Sequence, residues 1–223
     1  MTQSKKIDIL TIKYKVPIRY EEIGKFRGAL LHEVGVEEDL FHNHKGDGFH
    51  YRYPLIQYKR IGGSAGLMIL GEANRAMVGL SKTFGKSIRV GDRREVLEVD
   101  FMRSKTLTVR MGKKMFTYKL LNWMGLNSEN YQHFQEIEDI EEKVAFLEQI
   151  LCGQILAFCY GIDYDPPMQL KVEFLEIERD KVVPYKGQTM QAFDLIFRTN
   201  IFLPNHIGLG KGVSIGMGTV EEV

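Results

Sequence analysis

The sequence predicts an α+β protein in which strands and helices follow the order β-α-β-β-α-β twice, in residues 1–100 and again in residues 101–223. Three observations carry this prediction. Residues 7–14 alternate apolar and polar side chains, as a half-buried strand does. Residues 20–34 carry apolar side chains at helical spacing, and Gly62-Gly63 separates two strand-like runs as a hairpin turn does. The order is that of a ferredoxin-like (RRM-like) domain, so two such domains are expected in tandem.

The remaining elements of the first domain follow in chain order. Pro17 ends the first strand, and Gly35 stands where a helix C-cap glycine is expected. The later predicted elements are hairpin strands at 53–61 and 66–70, a short helix at 72–84 that Gly85 ends, and a strand at 92–101.

The second domain repeats this order with distortions. Gly112 is predicted to turn a hairpin, and residues 128–158 form a long helical region whose apolar side chains pack on a sheet. No linker rich in Pro, Gly or Ser divides the two halves. The predicted strands lie at 106–111, 114–121, 169–179, 190–200 and 213–220.

Composition places the chain among globular proteins. It has 223 residues, of which 44% are hydrophobic and 26% charged, and this excludes disordered and collagen-like classes. No uninterrupted apolar run spans a bilayer and the N-terminus lacks the pattern of a signal peptide, so a cytoplasmic protein without membrane contact is expected. Cys152 and Cys159 are seven positions apart on a predicted helix, too far for a disulfide.

Charge is unevenly distributed along the chain. The net charge is only +1, but residues 81–119 contain eleven Lys or Arg and four acids, whereas residues 129–148 contain seven acids and one Lys. A basic stretch beside an acidic helix is typical of a protein with one polyanion-binding face, although such runs also occur on ordinary solvated surfaces. Arg93 and Arg94, within the basic stretch, are candidate RNA-binding residues.

Five glycines are concentrated near the C-terminus, at positions 208, 210, 212, 216 and 218. Glycine allows backbone amides to converge on an anion, and Lys211 adds a positive charge among them. Gly208, Gly210, Lys211 and Gly212 are therefore candidate phosphate contacts, although the spacing matches neither common nucleotide-binding fingerprint. The alternative is a tight connection between two strands in which the glycines serve only the turn.

Two histidines follow the first predicted helix, at positions 42 and 44. In an extended segment their side chains point the same way, and one neutral and one protonated imidazole can act as general base and general acid in the same step. His42 and His44 are the candidate catalytic pair. A metal site completed by Asp47 and His50, or a structural role for both histidines, are the alternatives.

The next stretch, residues 50–60, interleaves tyrosines with cations. Aromatic rings that stack on bases beside cations that contact phosphates are typical of single-stranded nucleic-acid binding. Arg52, Tyr53 and Lys59 are the candidate supporting residues here. The alternative is a strand whose tyrosines pack inward and whose charges face solvent.

Together, the Phe41-His42-Asn43-His44 element, the Tyr-rich strand up to Lys59 and the Gly208–Gly218 loop resemble the CRISPR repeat-processing endoribonucleases, the Cas6 type of the RAMP superfamily. The resemblance spans nearly the whole chain and implies two ferredoxin-like domains with a glycine-rich loop near the C-terminus. It implies cleavage of CRISPR repeat RNA without metal or cofactor, by 2′-hydroxyl attack that leaves a 2′,3′-cyclic phosphate and a 5′-hydroxyl. The roles of His42 and His44 are carried over from the histidine-pair subtype.

Two other functions stay open on the sequence. A non-catalytic RAMP subunit that holds guide RNA would keep the glycine loop and the basic face but would not need the histidine pair. A small-ligand sensor on ferredoxin-like domains would have an apolar pocket and no basic groove. Repeat RNA is the expected partner, with other subunits of a CRISPR effector complex and a second copy of the chain as further possibilities.

Overall fold

The structure is a computed structural model and describes residues 4–35 and 53–223. The chain divides into two compact units. The N-terminal unit contains Lys6–Leu107 together with Ser214–Gly216, and the C-terminal unit contains Met1–Lys5, Thr108–Val213 and Met217–Val223. The division falls inside one long strand, and the predicted boundary at residue 100 lies near the start of that strand.

The N-terminal unit follows the predicted order up to its second helix. The hairpin about Gly62 and Gly63 is confirmed, and both glycines have positive φ values, 53° and 86°. The elements are β1 (Ser4–Pro17), a 3-10 turn (Tyr20–Glu22), α1 (Ile23–Val34), β2 (Ile56–Ile61), β3 (Ser64–Leu70), a second 3-10 turn (Gly71–Ala76) and α2 (Met77–Ser81).

The predicted strand at 92–101 is wrong as a single element, because residues 93–96 and 99–101 are extended but belong to two different strands. A separate two-stranded hairpin, β4 (Ser87–Val90) and β5 (Arg93–Val96), precedes β6 (Val99–Trp123). The sheet of this unit has the strand order β2-β3-β1-β6, and β3 pairs antiparallel with both β1 and β2. Its core contains a cluster of aromatic rings from Tyr14, Phe26 and Tyr58.

The C-terminal unit departs further from the prediction. The hairpin about Gly112 is wrong, because β6 continues through it as one strand. The long helical region is two helices, and residues 213–215 form a 3-10 turn instead of the start of the last strand. The elements after β6 are α3 (Ser128–Glu136), α4 (Ile140–Gly161), β7 (Val172–Tyr185), β8 (Gln188–Ile201) and β9 (Thr219–Glu222).

These strands form the order β6-β8-β7, with β9 paired to β6. Only the 3-10 turn Val213–Ile215 lies between β8 and β9, so residues 101–223 lack the second helix of a β-α-β-β-α-β unit. Helix α4 is long and apolar enough to cross a membrane by length and composition. Its buried side chains, among them Leu151, Ile155 and Phe158, lie in the unit's interior, so α4 is a core helix.

Candidate RNA-binding and catalytic residues

The candidate catalytic pair falls in the connection between α1 and β2. Helix α1 ends at Val34, and Gly35 follows as its C-cap with a φ of 89°, in the region that favours glycine. The description resumes at Tyr53. His42, His44 and Arg52 therefore lie outside the described residues, and their roles stay predictions.

Tyr53 lies just before β2, whereas Lys59 lies within the buried stretch of that strand, residues 56–59. The Gln57 amide donates hydrogen bonds to the Tyr53 hydroxyl at 2.8 Å and to the Pro54 carbonyl at 3.1 Å. Tyr58 is buried in the core, so for this tyrosine the inward-packing alternative is the correct one.

Lys59 has an environment that its sequence position did not indicate. Its side chain is only 4% exposed, although lysine is almost never fully buried. Burial disfavours the charged ammonium and lowers the Lys59 pKa from 10.5 to about 7. At neutral pH this lysine therefore exists in both protonation states, whereas an exposed lysine is fully charged.

Arg93 and Arg94 are neighbours in sequence but point to opposite sides of the β4–β5 hairpin. The Arg93 guanidinium contacts Glu22 at 3.0 Å and Glu95 at 3.1 Å, and it also donates to the Pro17 carbonyl. The Glu22 carboxylate is nearly buried, and its pKa is lowered by a hydrogen bond from the Arg19 backbone amide and by Arg93. Arg94 is exposed. Arg93 thus holds the hairpin to its unit, and Arg94 is available to a ligand.

The glycine-rich loop is held by backbone hydrogen bonds, both within the loop and to the end of β6 and the residue after it. Gly210 and Gly212 have φ values of 88° and 77°, in the region that favours glycine. A Cβ on Gly210 would lie 2.9 Å from the Met124 carbonyl oxygen. The Lys211 amide donates to that same carbonyl, and the Leu209 amide donates to the Gly218 carbonyl. These glycines therefore have a packing role, whether or not the loop also contacts phosphate.

Two residues that the sequence reasoning missed lie beside Lys211. The Lys211 ammonium nitrogen is 5.7 Å from the centre of the Tyr185 ring. The Lys186 ammonium nitrogen is 5.6 Å from the centre of the same ring. Lys186 and Gly187 form the turn between β7 and β8 with φ values of 50° and 78°. The available signal was Gly187 between two strand-like runs, because a two-residue hairpin turn with positive φ favours glycine.

The other described histidines do not gather into a site. His32 is exposed on α1, and the exposed His133 ring lies edge-on to Phe146 at 4.9 Å. His206 has a φ of 69°, and its amide donates to the Val220 carbonyl at 2.7 Å. Within residues 4–35 and 53–223, no group of three or more His, Cys, Asp or Glu side chains could hold a metal ion.

Comparisons with known proteins cover both units. A family model described as the Cas6b N-terminal domain matches residues 5–108, and one described as the Cas6b C-terminal domain matches residues 110–223. A solved structure described as "Crystal structure of Cas6b" is 26% identical, has a TM-score of 0.87, and covers 98% of this chain and 100% of that chain.

Two further relatives extend this likeness. A structure described as "Crystal structure of CRISPR RNA processing endoribonuclease Cas6b" has a TM-score of 0.75 at 23% identity, covers 98% of this chain and 100% of that one, and shares the fold. An uncharacterized protein of Methanocaldococcus jannaschii is 38% identical over 114 residues, which are 51% of this chain and 76% of that protein.

Proposed function

Because this chain belongs to the Cas6b family, we propose that it is an endoribonuclease that processes CRISPR RNA. The observation that carries the proposal is the match of both Cas6b domain models, in order, over residues 5–108 and 110–223. A solved relative of the same fold is described as a CRISPR RNA processing endoribonuclease. The substrate class is the repeat RNA of a CRISPR transcript, and the protein acts in the cytoplasm.

The chemistry we propose is attack by a ribose 2′-hydroxyl on the adjacent phosphodiester. One of His42 and His44 removes the hydroxyl proton, and the other protonates the leaving 5′-oxygen. The products are a 2′,3′-cyclic phosphate and a 5′-hydroxyl, and the reaction needs no metal. Lys59 stabilises negative charge on the phosphorane in its protonated form, which its pKa of about 7 restricts to neutral and acidic pH.

RNA binding in the C-terminal unit centres on Lys211, Tyr185 and Lys186. An aromatic ring with two cations against it combines a surface for base stacking with charges for phosphate. Gly208, Gly210 and Gly212 keep the Lys211 backbone in place. Arg52 and Tyr53 add contacts next to the histidine pair, and Arg93 acts through the hairpin that it holds.

The N-terminal unit is, in our proposal, a ferredoxin-like domain. Its strand order β2-β3-β1-β6 supports this, because each helix then connects two strands that flank a third. The β4–β5 hairpin is an insertion before the last strand. For the C-terminal unit we propose a ferredoxin-like domain that has lost its second helix.

The test is cleavage of a transcript carrying the repeats of the same genome, in EDTA. We expect cutting at one position per repeat with a cyclic-phosphate end. His42→Ala and His44→Ala should each slow single-turnover cleavage by roughly 10²–10⁴-fold with little change in affinity. His32→Ala and His133→Ala, which change exposed histidines elsewhere, are the matched controls and should leave the rate unchanged.

A second substrate separates binding from chemistry. Once the cleavage site is mapped, a 2′-deoxy nucleotide just upstream of the scissile phosphate removes the nucleophile and should abolish cutting but not binding. Cleavage of this deoxy repeat RNA, or activity lost in EDTA and restored by a divalent ion, would contradict the mechanism. Tight binding of unmodified RNA without any cleavage would favour a non-catalytic RNA-holding subunit.

A further inference from the structure

The β4–β5 hairpin and helix α1 place three exposed cations around the hairpin and its turn at Gly91. Arg89 on β4 and Arg94 on β5 are directly opposite each other in the antiparallel register. The Arg89 Nε donates to the Gly91 carbonyl at 3.1 Å. The Lys25 ammonium nitrogen lies 3.5 Å from the position that a Cβ would take on Gly91. Lys25, Arg89 and Arg94 are referred to below as the hairpin cluster.

The strand period explains why this side of the hairpin is charged. Ile88 and Val90 are buried in the unit's core, so the intervening Arg89 must face outward. On β5, Arg93 lies on the inward side with its ion pair to Glu22, so Arg94 shares the outward side with Arg89. The hairpin that carries Arg89 and Arg94 is therefore fixed to the unit by the side chains of its opposite side.

The cluster is poorly neutralised. In the described part of the chain neither Lys25 nor Arg94 has an acidic side chain within 4 Å, and Arg89 has only Asp92, at 3.8 Å. Both members of that pair are exposed to solvent, which screens the contact, so it neutralises the Arg89 charge only weakly. Like charges directly opposite each other on two strands destabilise the pair. The arrangement weakens the free hairpin and would be stabilised by an anion.

We propose that the hairpin cluster binds the phosphate backbone of the RNA substrate as a second surface, separate in the chain from the Lys211 loop. The inference rests on the proposed function. Paired guanidiniums suit phosphate because each can donate two hydrogen bonds to one phosphate group. Backbone contacts of this kind add affinity and salt dependence without reading sequence or taking part in cleavage.

The test compares the wild type with Lys25→Gln/Arg89→Gln/Arg94→Gln, using deoxy repeat RNA and a scrambled RNA of the same length. The association constant falls with salt, and for a single strand each phosphate contact adds about 0.7 to the steepness of log K plotted against log salt. Loss of three contacts should therefore make this slope shallower by about 2. The Kd should rise roughly 10- to 50-fold near 150 mM salt, equally for both RNAs. The single-turnover cleavage rate of unmodified RNA at saturating protein should be unchanged.

The control variant, Lys6→Gln/Lys82→Gln/Lys171→Gln, removes the same three charges from exposed positions outside the cluster and should change Kd far less. If the triple variant melts early, Arg94→Gln alone tests the proposal, because that side chain has no ion pair within the described residues. A Kd and salt slope that match those of the control variant overturn the proposal. A wild type that neither binds nor cleaves repeat RNA instead overturns the proposed function, and the cluster's role with it.

Discussion

The buried tyrosines of the two units differ in a single hydrogen bond. In the N-terminal core the Tyr14 and Tyr58 hydroxyls have no hydrogen-bond partner among the described residues. In the C-terminal unit the Tyr118 hydroxyl accepts a hydrogen bond from the Leu203 amide at 2.8 Å. Burial raises the pKa of all three, that of Tyr118 to about 12. The hydroxyl therefore has opposite effects on stability in the two environments.

The same substitution should change stability in opposite directions at these sites. Tyr58→Phe removes a polar group that burial has stripped of water, so the free energy of unfolding should stay equal or increase by up to about 1 kcal/mol. Tyr118→Phe leaves the Leu203 amide buried without a partner and should lower that free energy by about 1–3 kcal/mol. Urea unfolding measures both, and a Tyr58→Phe loss as large as that of Tyr118→Phe would contradict this account.

Lys59 makes the stability of the protein depend on pH. Its pKa is about 7 in the folded chain and 10.5 in the unfolded chain, so the unfolded state binds more protons between these values. Stability therefore rises with pH over this window and is lowest below about pH 7, where folding keeps a buried charge. Lys59→Met should be more stable than the wild type at pH 7, with a difference that shrinks towards pH 10. Lys171→Met, at an exposed position, should show no such difference.

Strand β6 shows how an element can be misread from a glycine. Gly112 looks like a hairpin turn in the sequence, but its φ is not among the positive values and a Cβ there would meet nothing within 4 Å. It lies between two register positions, Met111 opposite Ile201 and Phe116 opposite Thr199, where β6 has extra residues. Gly112 therefore lies in a bulge, a common place for a glycine inside a strand.

The break between α3 and α4 has a local cause that the helical periodicity concealed. The Asp139 carboxylate accepts a hydrogen bond from the Glu142 amide at 2.9 Å and thereby caps a new helix. Ile137 is already extended, with ψ of 123°. The capping residue was visible in the sequence, but apolar spacing continues across it, so one helix was predicted instead of two.

The glycine-rich loop allows a test of which glycines serve packing. A Cβ on Gly218 would lie 1.7 Å from the Leu209 carbonyl oxygen, whereas one on Gly187 would meet nothing within 4 Å. Both have positive φ, 61° and 78°, so both substitutions carry backbone strain. Gly187→Ala should lower the free energy of unfolding by about 1 kcal/mol and Gly218→Ala by roughly 3 kcal/mol or more. Equal losses in urea unfolding would show that conformation alone requires glycine at 218.

For the whole molecule, the acidic stretch and the apolar helix belong together. The acids of residues 129–148 lie on α3, in the segment between α3 and α4, and on the N-terminal half of α4, where the Glu148 carboxylate accepts a hydrogen bond from the Phe174 amide at 2.6 Å. The apolar side of α4 lies in the core of the C-terminal unit. Glu141, Glu142 and Glu148 therefore lie on a helix whose other side is buried, and the remaining acids of the stretch precede that helix.

Because α4 is a core helix, the purified protein should stay in the supernatant after ultracentrifugation in detergent-free buffer. It should not float with phosphatidylcholine vesicles in a density gradient. Phe158→Ala, which opens a cavity beneath α4, should lower the free energy of unfolding by about 3–5 kcal/mol and serves as a control for burial. Recovery of the wild type with the vesicles would contradict the placement of this helix.

The sequence by itself determined the α+β class, the elements up to α2 and the family, because these depend on local periodicity, turn glycines and short motifs. The tertiary structure decided the features that depend on contacts between residues distant in sequence. Pairing with β8 extends β6 through Gly112, and burial lowers the pKa of Lys59. Arg93 forms an ion pair with Glu22, which is distant in sequence, whereas its neighbour Arg94 has no ion pair within the described residues. The approach of Lys211 to Tyr185 joins residues 26 positions apart (211 − 185), so no local pattern encodes it. The sequence specifies which side chain stands at each position, but the charge state and the neighbours of that side chain depend on which distant segment folds against it.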